Sequence, residues 1–111
     1  MISSDVIRGY NDIIILAILL TKNSYGYEIS KEIEVRSKGV YIIKETTLYS
    51  AFNRLEKNDY VDSYYGEATL GKRRTYYRIT EEGKKYYDLK CQEWKETKIL
   101  IDDFTSKKRE K

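Results

Sequence analysis

The chain has 111 residues, no proline, no histidine, a single cysteine and a formal charge of +3. That length holds one domain, and a chain this short gains by sharing apolar area with a second copy. With no histidine and only Cys91, the common zinc sites, the usual general base and an intramolecular disulfide are excluded, so neither an enzyme nor a cofactor is expected, and a reducing, cytoplasmic setting fits.

In chain order, a first helix is predicted from Ser4 or Asp5 to Thr21, with Ser3 or Ser4 as its N-cap. Its second half, Ile13-Ile14-Ile15-Leu16-Ala17-Ile18-Leu19-Leu20, is apolar on nearly every side. The run is far shorter than the ~20 residues of a membrane span. No small-residue cleavage site follows it, so no signal peptide is expected and no membrane partner. A helix apolar all round must be covered on more than one face, here by the domain's own core and by a second subunit.

Asn23 or Ser24 can cap a second helix from Tyr25 to Ser37, with Ile29 and Ile33 inward and Lys31, Glu32 and Arg36 outward. Gly39 suits the left-handed position that ends it, and Val40-Tyr41-Ile42-Ile43 reads as an extended connector. A third helix starts near Thr46, with that hydroxyl as cap, and runs to Lys57. Leu48, Ala51, Phe52 and Leu55 form its core stripe. Its other face keeps Thr47, Tyr49, Ser50, Asn53 and Arg54, hydrogen-bonding groups suited to base edges and phosphates; an ordinary solvated face would carry more Glu and Lys.

Asn58-Asp59 ends that helix, both types tolerating a left-handed turn. Strands follow over Tyr60–Tyr65 and Arg74–Ile79, rich in aromatic and β-branched residues, with Val61, Tyr77 and Ile79 inward and Tyr76 and Arg78 outward. Gly66 and Gly71 bracket the ribbon's tip. Between Gly66 and Thr80 stand Lys72, Arg73, Arg74 and Arg78 against Glu67 alone, a local positive potential that attracts polyanions. Taken alone, the stretch could also be a solvated loop. After the third helix it is the outline of a winged helix-turn-helix: mainly α with a two-stranded β wing.

Thr80-Glu81-Glu82 starts a last helix that reaches Phe104, a hydroxyl cap followed by acids in the first turn. Tyr87, Cys91, Trp94, Ile101 and Phe104, with Leu100 alongside, form a heptad-like seam interrupted by Lys98. Such a stripe needs a partner surface, and a second subunit is the expected one. The organisation is thus a DNA-binding unit over residues 1–80, a dimerisation helix over 81–106 and a basic, disordered tail over 107–111.

Three segments together resemble the PadR family of bacterial transcriptional regulators: Ser24-Tyr25-Gly26-Tyr27-Glu28-Ile29; Thr47-Leu48-Tyr49 with Arg54-Leu55-Glu56-Lys57; and Gly71-Lys72-Arg73-Arg74-Thr75-Tyr76-Tyr77-Arg78-Ile79-Thr80-Glu81-Glu82-Gly83. Many members carry Pro where this chain has Ser50, and Gly where it has Asp59, with the acidic position before it taken by Asn58. The resemblance implies a homodimeric repressor on a roughly palindromic stretch of double-stranded DNA. Carried over, Tyr25 and Tyr27 would approach phosphates, Thr47 and Tyr49 would sit at the start of the recognition helix, and Arg73 and Arg74 would lie on the wing; Thr46, Ser50, Asn53, Arg54, Lys72 and Tyr76 complete the DNA-contacting set expected from the residues themselves. Length and the single C-terminal helix resemble the small subfamily, which implies a dimer interface at Ile7, Tyr10, Ile14, Tyr87, Cys91, Trp94, Ile101 and Phe104. Some members of that subfamily bind flat aromatic compounds between tryptophans there, so Trp94 is the candidate ligand-stacking residue; simple packing in the dimer core is the competing role. A winged-helix module that binds protein instead of DNA is the alternative function, and would require apolar anchors on the outward face.

Overall fold

The structure is a computed structural model that describes residues 1–66 and 73–107. Its elements are α1 (Ser4–Ile7), a 3-10 turn (Arg8–Tyr10), α2 (Asn11–Thr21), β1 (Ser24–Tyr25), α3 (Gly26–Arg36), α4 (Glu45–Lys57), β2 (Val61–Tyr65), β3 (Thr75–Ile79) and α5 (Glu81–Thr105). Ile15, Leu16, Ile18 and Leu19 of α2 meet Ile29 and Ile33 of α3, the α4 stripe Leu48, Ala51, Phe52 and Leu55, and Val61 and Tyr77 of the sheet. Phe52 and Tyr77 stack at 3.9 Å between ring centroids, joining α4 to β3 at the centre. Asn11, buried at the start of α2, accepts a 2.6 Å hydrogen bond from the Tyr41 hydroxyl, which ties the connector before α4 to this core.

Several expectations are corrected. The first helix is interrupted by the 3-10 turn at Arg8–Tyr10, although Ser3 does cap it by accepting from the Val6 amide at 3.3 Å. The two-stranded wing is present as β2 and β3, and a strand that was not expected joins it, in the order β1-β3-β2: Ser24 and Tyr25 pair antiparallel with Tyr77 and Tyr76. That pairing removes Asn23 and Ser24 as caps. Tyr25 holds the N-cap position without a side-chain bond, and the buried Ser24 hydroxyl donates instead to Glu28 Oε1 at 2.6 Å. Helix α4 starts one residue earlier than Thr46, because the Lys44 carbonyl already accepts from the Leu48 amide at 2.9 Å.

Helices α3 and α4 end alike. The amides of Lys38 and Gly39 bond back to Val35 and Glu34, and those of Asp59 and Tyr60 to Glu56 and Leu55, the Schellman arrangement. The left-handed residue it demands is Asp59 (φ 61°) after α4, as expected, but Lys38 (φ 53°) after α3, with Gly39 left-handed one position later.

Helix α5 begins where Thr80 accepts from the Gly83 amide at 3.0 Å and donates to the Asp59 carbonyl at 2.6 Å. A Cβ at Gly83 would lie 2.0 Å from the Tyr60 carbonyl oxygen, so only glycine lets α5 leave the sheet at this angle. The helix then runs for 25 residues, ~37 Å at 1.5 Å per residue, and gives the molecule its 64 Å long axis.

Candidate nucleic-acid interface

With Leu48, Ala51, Phe52 and Leu55 at 2% exposure or less, a 3.6-residue period leaves Thr46, Ser50, Asn53 and Lys57 along the opposite ridge of α4. All four are exposed. Lys57 was missed in the sequence, although it continues the same i, i+4, i+7 spacing. Among the described residues no side chain caps α4, so its first amides, at Glu45 to Thr47, are open at the end where the helix dipole is positive. Lys44, exposed beside them, is a second cation that periodicity could not assign because it precedes the helix.

Three of the expected residues sit on the flanks. Thr47 is half-buried. Tyr49 crosses to α3: a Cβ at Gly26 would fall 2.6 Å from its hydroxyl oxygen, so Gly26 leaves the room that the Tyr49 side chain occupies, and the Tyr49 ring lies edge-on to Phe52 at 5.5 Å. Arg54 turns its guanidinium away from the ridge onto Asp12 of α2, with Nη2–Oδ1 at 2.6 Å and Nε–Oδ2 at 3.2 Å. That hydrogen bond raises the Arg54 pKa further above its ordinary value, against the opposing effect of burial.

On the outer face of the sheet the tyrosines form a ladder. Tyr25 meets Tyr76 edge-on at 5.3 Å and Tyr76 stacks on Tyr64 at 5.7 Å. Asn23 donates to the Tyr64 hydroxyl at 2.9 Å. Gly66 is required here, because a Cβ would sit 2.2 Å from a carbon of the Tyr76 ring. The wing's cations are held unequally. Arg78 donates to Asp62 at 2.8 Å, and the Arg74 guanidinium lies 4.4 Å over the Tyr25 ring. Arg73 is exposed beside Tyr65 and has no ion pair among the described residues. Lys72 and Gly71 lie outside the described residues. The Ser24 hydroxyl, with Lys22 and Arg74 adding smaller attractions, holds Glu28 below the ordinary carboxylate value despite the cost of partial burial. Tyr27, exposed at the start of α3, completes this side.

At the other end, α5 packs on α2 and on the N-terminal segment. Trp94 meets Tyr10 edge-on at 5.0 Å. Beyond that contact opens an apolar groove of about 620 Å³, lined among others by Val6, Ile7, Tyr10, Ile14, Trp94 and Ile101. Of the expected interface residues, Tyr87 and Cys91 are half-buried against the chain's own body, while Phe104 stands clear of the groove at 77% exposure. No helix among the described residues is long and apolar enough to cross a membrane, and no cluster of potential metal ligands occurs among them.

Residues 15–89, from the buried half of α2 through the first turns of α5, match the transcriptional regulator PadR-like family. The chain belongs to that family. A transcriptional regulator from Clostridium thermocellum shares 64% identity over 95% of this chain and 99% of its own, with a TM-score of 0.88. A PadR family transcription regulator from Clostridium difficile shares 42% over 86% and 97%, with a TM-score of 0.73. An uncharacterised Lysinibacillus sphaericus protein is 50% identical over 94% of this chain and 95% of its own. The family is one of transcriptional regulators and not of enzymes, and the winged-helix architecture with its long last helix agrees with it. The PadR-like segment includes α3, α4 and both long strands, so the exposed ridge of α4 and the tyrosine ladder both fall inside it.

Proposed function

We propose that this PadR-like protein is a homodimeric repressor that binds a roughly palindromic DNA operator with α4 in the major groove. The observation that carries the reading is the ridge Thr46, Ser50, Asn53 and Lys57, polar and exposed along a helix whose other face is wholly buried. Hydroxyl and amide groups match base edges, and Asn can contact adenine through two bonds. Thr47 and Tyr49 reach the groove from the flanks. The open N-terminus of α4, Lys44 and the hydroxyls of Tyr25 and Tyr27 serve phosphate oxygens. Arg73, with Lys72 and Arg74, anchors the wing on backbone or in a narrow minor groove, with Tyr76 behind them.

The second copy packs through Ile7, Tyr10, Ile14, Tyr87, Cys91, Trp94, Ile101 and Phe104, and sets two recognition helices ~34 Å apart, one duplex turn. Apolar side chains left open on α5 support that arrangement, since a surface of this kind is more stable covered. A planar aromatic effector stacked on Trp94 would change the spacing of the reading heads by shifting the population of dimer shapes. Winged helices that bind protein need apolar anchors on the outward helix, and the α4 ridge has none among its exposed residues.

Footprinting on fragments selected from the source genome tests the reading. Two protected half-sites centred one turn apart are expected; a lone half-site or no protection contradicts it. Titration of planar aromatic compounds should quench Trp94 emission and release the duplex; unchanged emission would confine Trp94 to packing, and quenching without release would remove the effector role.

A further inference from the structure

We infer that Asp12 and Arg54 form a positioning strut, which fixes the angle of the recognition helix on the segment that walls the Trp94 groove. The inference rests on the DNA-binding reading above and changes the role of one residue in it: Arg54 serves DNA through the helix it holds and not by touching the duplex. Its guanidinium fork is engaged on both sides by one carboxylate, at 2.6 and 3.2 Å, a geometry that adds direction as well as energy. Arg54 occupies the flank of α4 that faces α2, not the ridge. The two residues are separated by 42 positions in the chain, so the pair spans two elements and stabilises neither helix alone. Asp12 stands in the first turn of α2, where the helix dipole favours a carboxylate, and its side chain is only 19% exposed.

The other end of the strut reaches the groove. Tyr10, two residues before Asp12, is the residue whose ring meets Trp94. A small cavity of about 40 Å³ brings Asp12, Tyr10, Tyr86, Lys90 and Trp94 together between α2 and α5. Between α1 and α2 the chain makes its 3-10 turn at Arg8–Tyr10, and a 3-10 stretch inside a helical run often marks a hinge. A displacement of Tyr10 with Trp94 therefore turns the start of α2, and Asp12 carries that turn to Arg54 and the end of α4. The coupling has a physical element, one bidentate pair, and not mere proximity.

The test compares Asp12→Asn, Arg54→Gln, the double variant and the charge swap Asp12→Arg with Arg54→Asp, in full-length protein on a selected duplex well below the melting temperature. Each single variant is expected to weaken binding roughly tenfold, with the double no weaker than either and the swap restoring most of the affinity. The salt dependence of binding stays unchanged. If Arg54 instead contacts phosphate, Arg54→Gln lowers the salt slope by about 1 while Asp12→Asn leaves binding equal or tighter, and the strut is overturned. Lower melting temperatures with unaltered affinity reduce the pair to a stabilising contact and overturn it too. Failure of the wild type to bind any selected duplex overturns the DNA-binding reading itself, and that outcome is visible in the control. The link to the groove has its own readout. Wild-type Trp94 emission should shift on DNA binding, and the shift should vanish in the saturated Arg54→Gln complex; a shift of equal size in both overturns the link.

Discussion

Helices α4 and α5 are both amphipathic, but only one of them is complete within this chain. Every apolar residue of the α4 stripe is buried, from Leu48 at 2% to Phe52 at 0%, so its remaining face is polar by construction and available for recognition. On α5 Gly83 is the buried residue among those described, while Leu89, Ile99, Leu100, Ile101 and Phe104 stand more than half exposed. The contrast separates two tasks. One helix has spent its apolar side on the fold and offers hydrogen bonds, whereas the other still has apolar side to bury, the face that the proposed second copy would cover.

The same truncation placed on each helix exposes that difference most strongly. Phe52→Ala empties the centre of the core and should cost about 3–5 kcal/mol in chemical unfolding, independent of protein concentration. Phe104→Ala should leave the isolated fold untouched and weaken only association, so that sedimentation, and not the unfolding of dilute protein, registers it. Next in size, Gly83→Ala sets a Cβ against the Tyr60 carbonyl and should cost about 1–3 kcal/mol through strain where α5 joins the wing. Differential scanning calorimetry measures it, and an unchanged melting temperature would show that α5 can leave the sheet at another angle.

A smaller effect lies at the start of α3. Glu28 is held below its ordinary value of 4.5, first by the Ser24 hydroxyl. A depressed carboxylate contributes stability above its unfolded pKa and loses it as pH falls through the folded value, so acid unfolding should be resisted until below 4.5. Ser24→Ala removes the donor, shifts the acid midpoint upward and costs about 1–2 kcal/mol at neutral pH. An unmoved midpoint would assign the depression to Lys22 instead. The smallest change is on the wing: Arg73→Gln should lower the slope of log affinity against log salt by about 1, and Arg78→Gln, whose partner is Asp62, should lower it less.

Much of this arrangement was legible in the sequence because it is local. The Leu48-Ala51-Phe52-Leu55 stripe, the Thr80 cap, the Asp59 turn and both long strands follow from spacing and side-chain type within a few residues. What escaped depends on distant pairing. β1 is two residues long and exists because Ser24 and Tyr25 meet Tyr77 and Tyr76 across the sheet, which also overrode the capping tendency of Ser24. The Arg54 guanidinium looked available on α4 because nothing in its neighbourhood names Asp12. Lys57 is a different case: it is the last helical residue, directly before the Asn58-Asp59 turn, where periodicity alone does not separate a ridge position from the helix end.

The proposed function divides the labour: the α4 ridge selects DNA sequence while the wing and helix ends supply charge. It is tested most directly by fluorescence anisotropy on a genome-selected duplex and a scrambled one, across a salt series, for the wild type and the Ser50→Ala/Asn53→Ala variant. The wild type should bind the selected duplex more tightly and weaken steeply with salt. The variant should keep that salt dependence but lose about 1–3 kcal/mol of preference for the selected sequence. An unchanged preference in the variant, or wild-type binding insensitive to salt, would contradict the account.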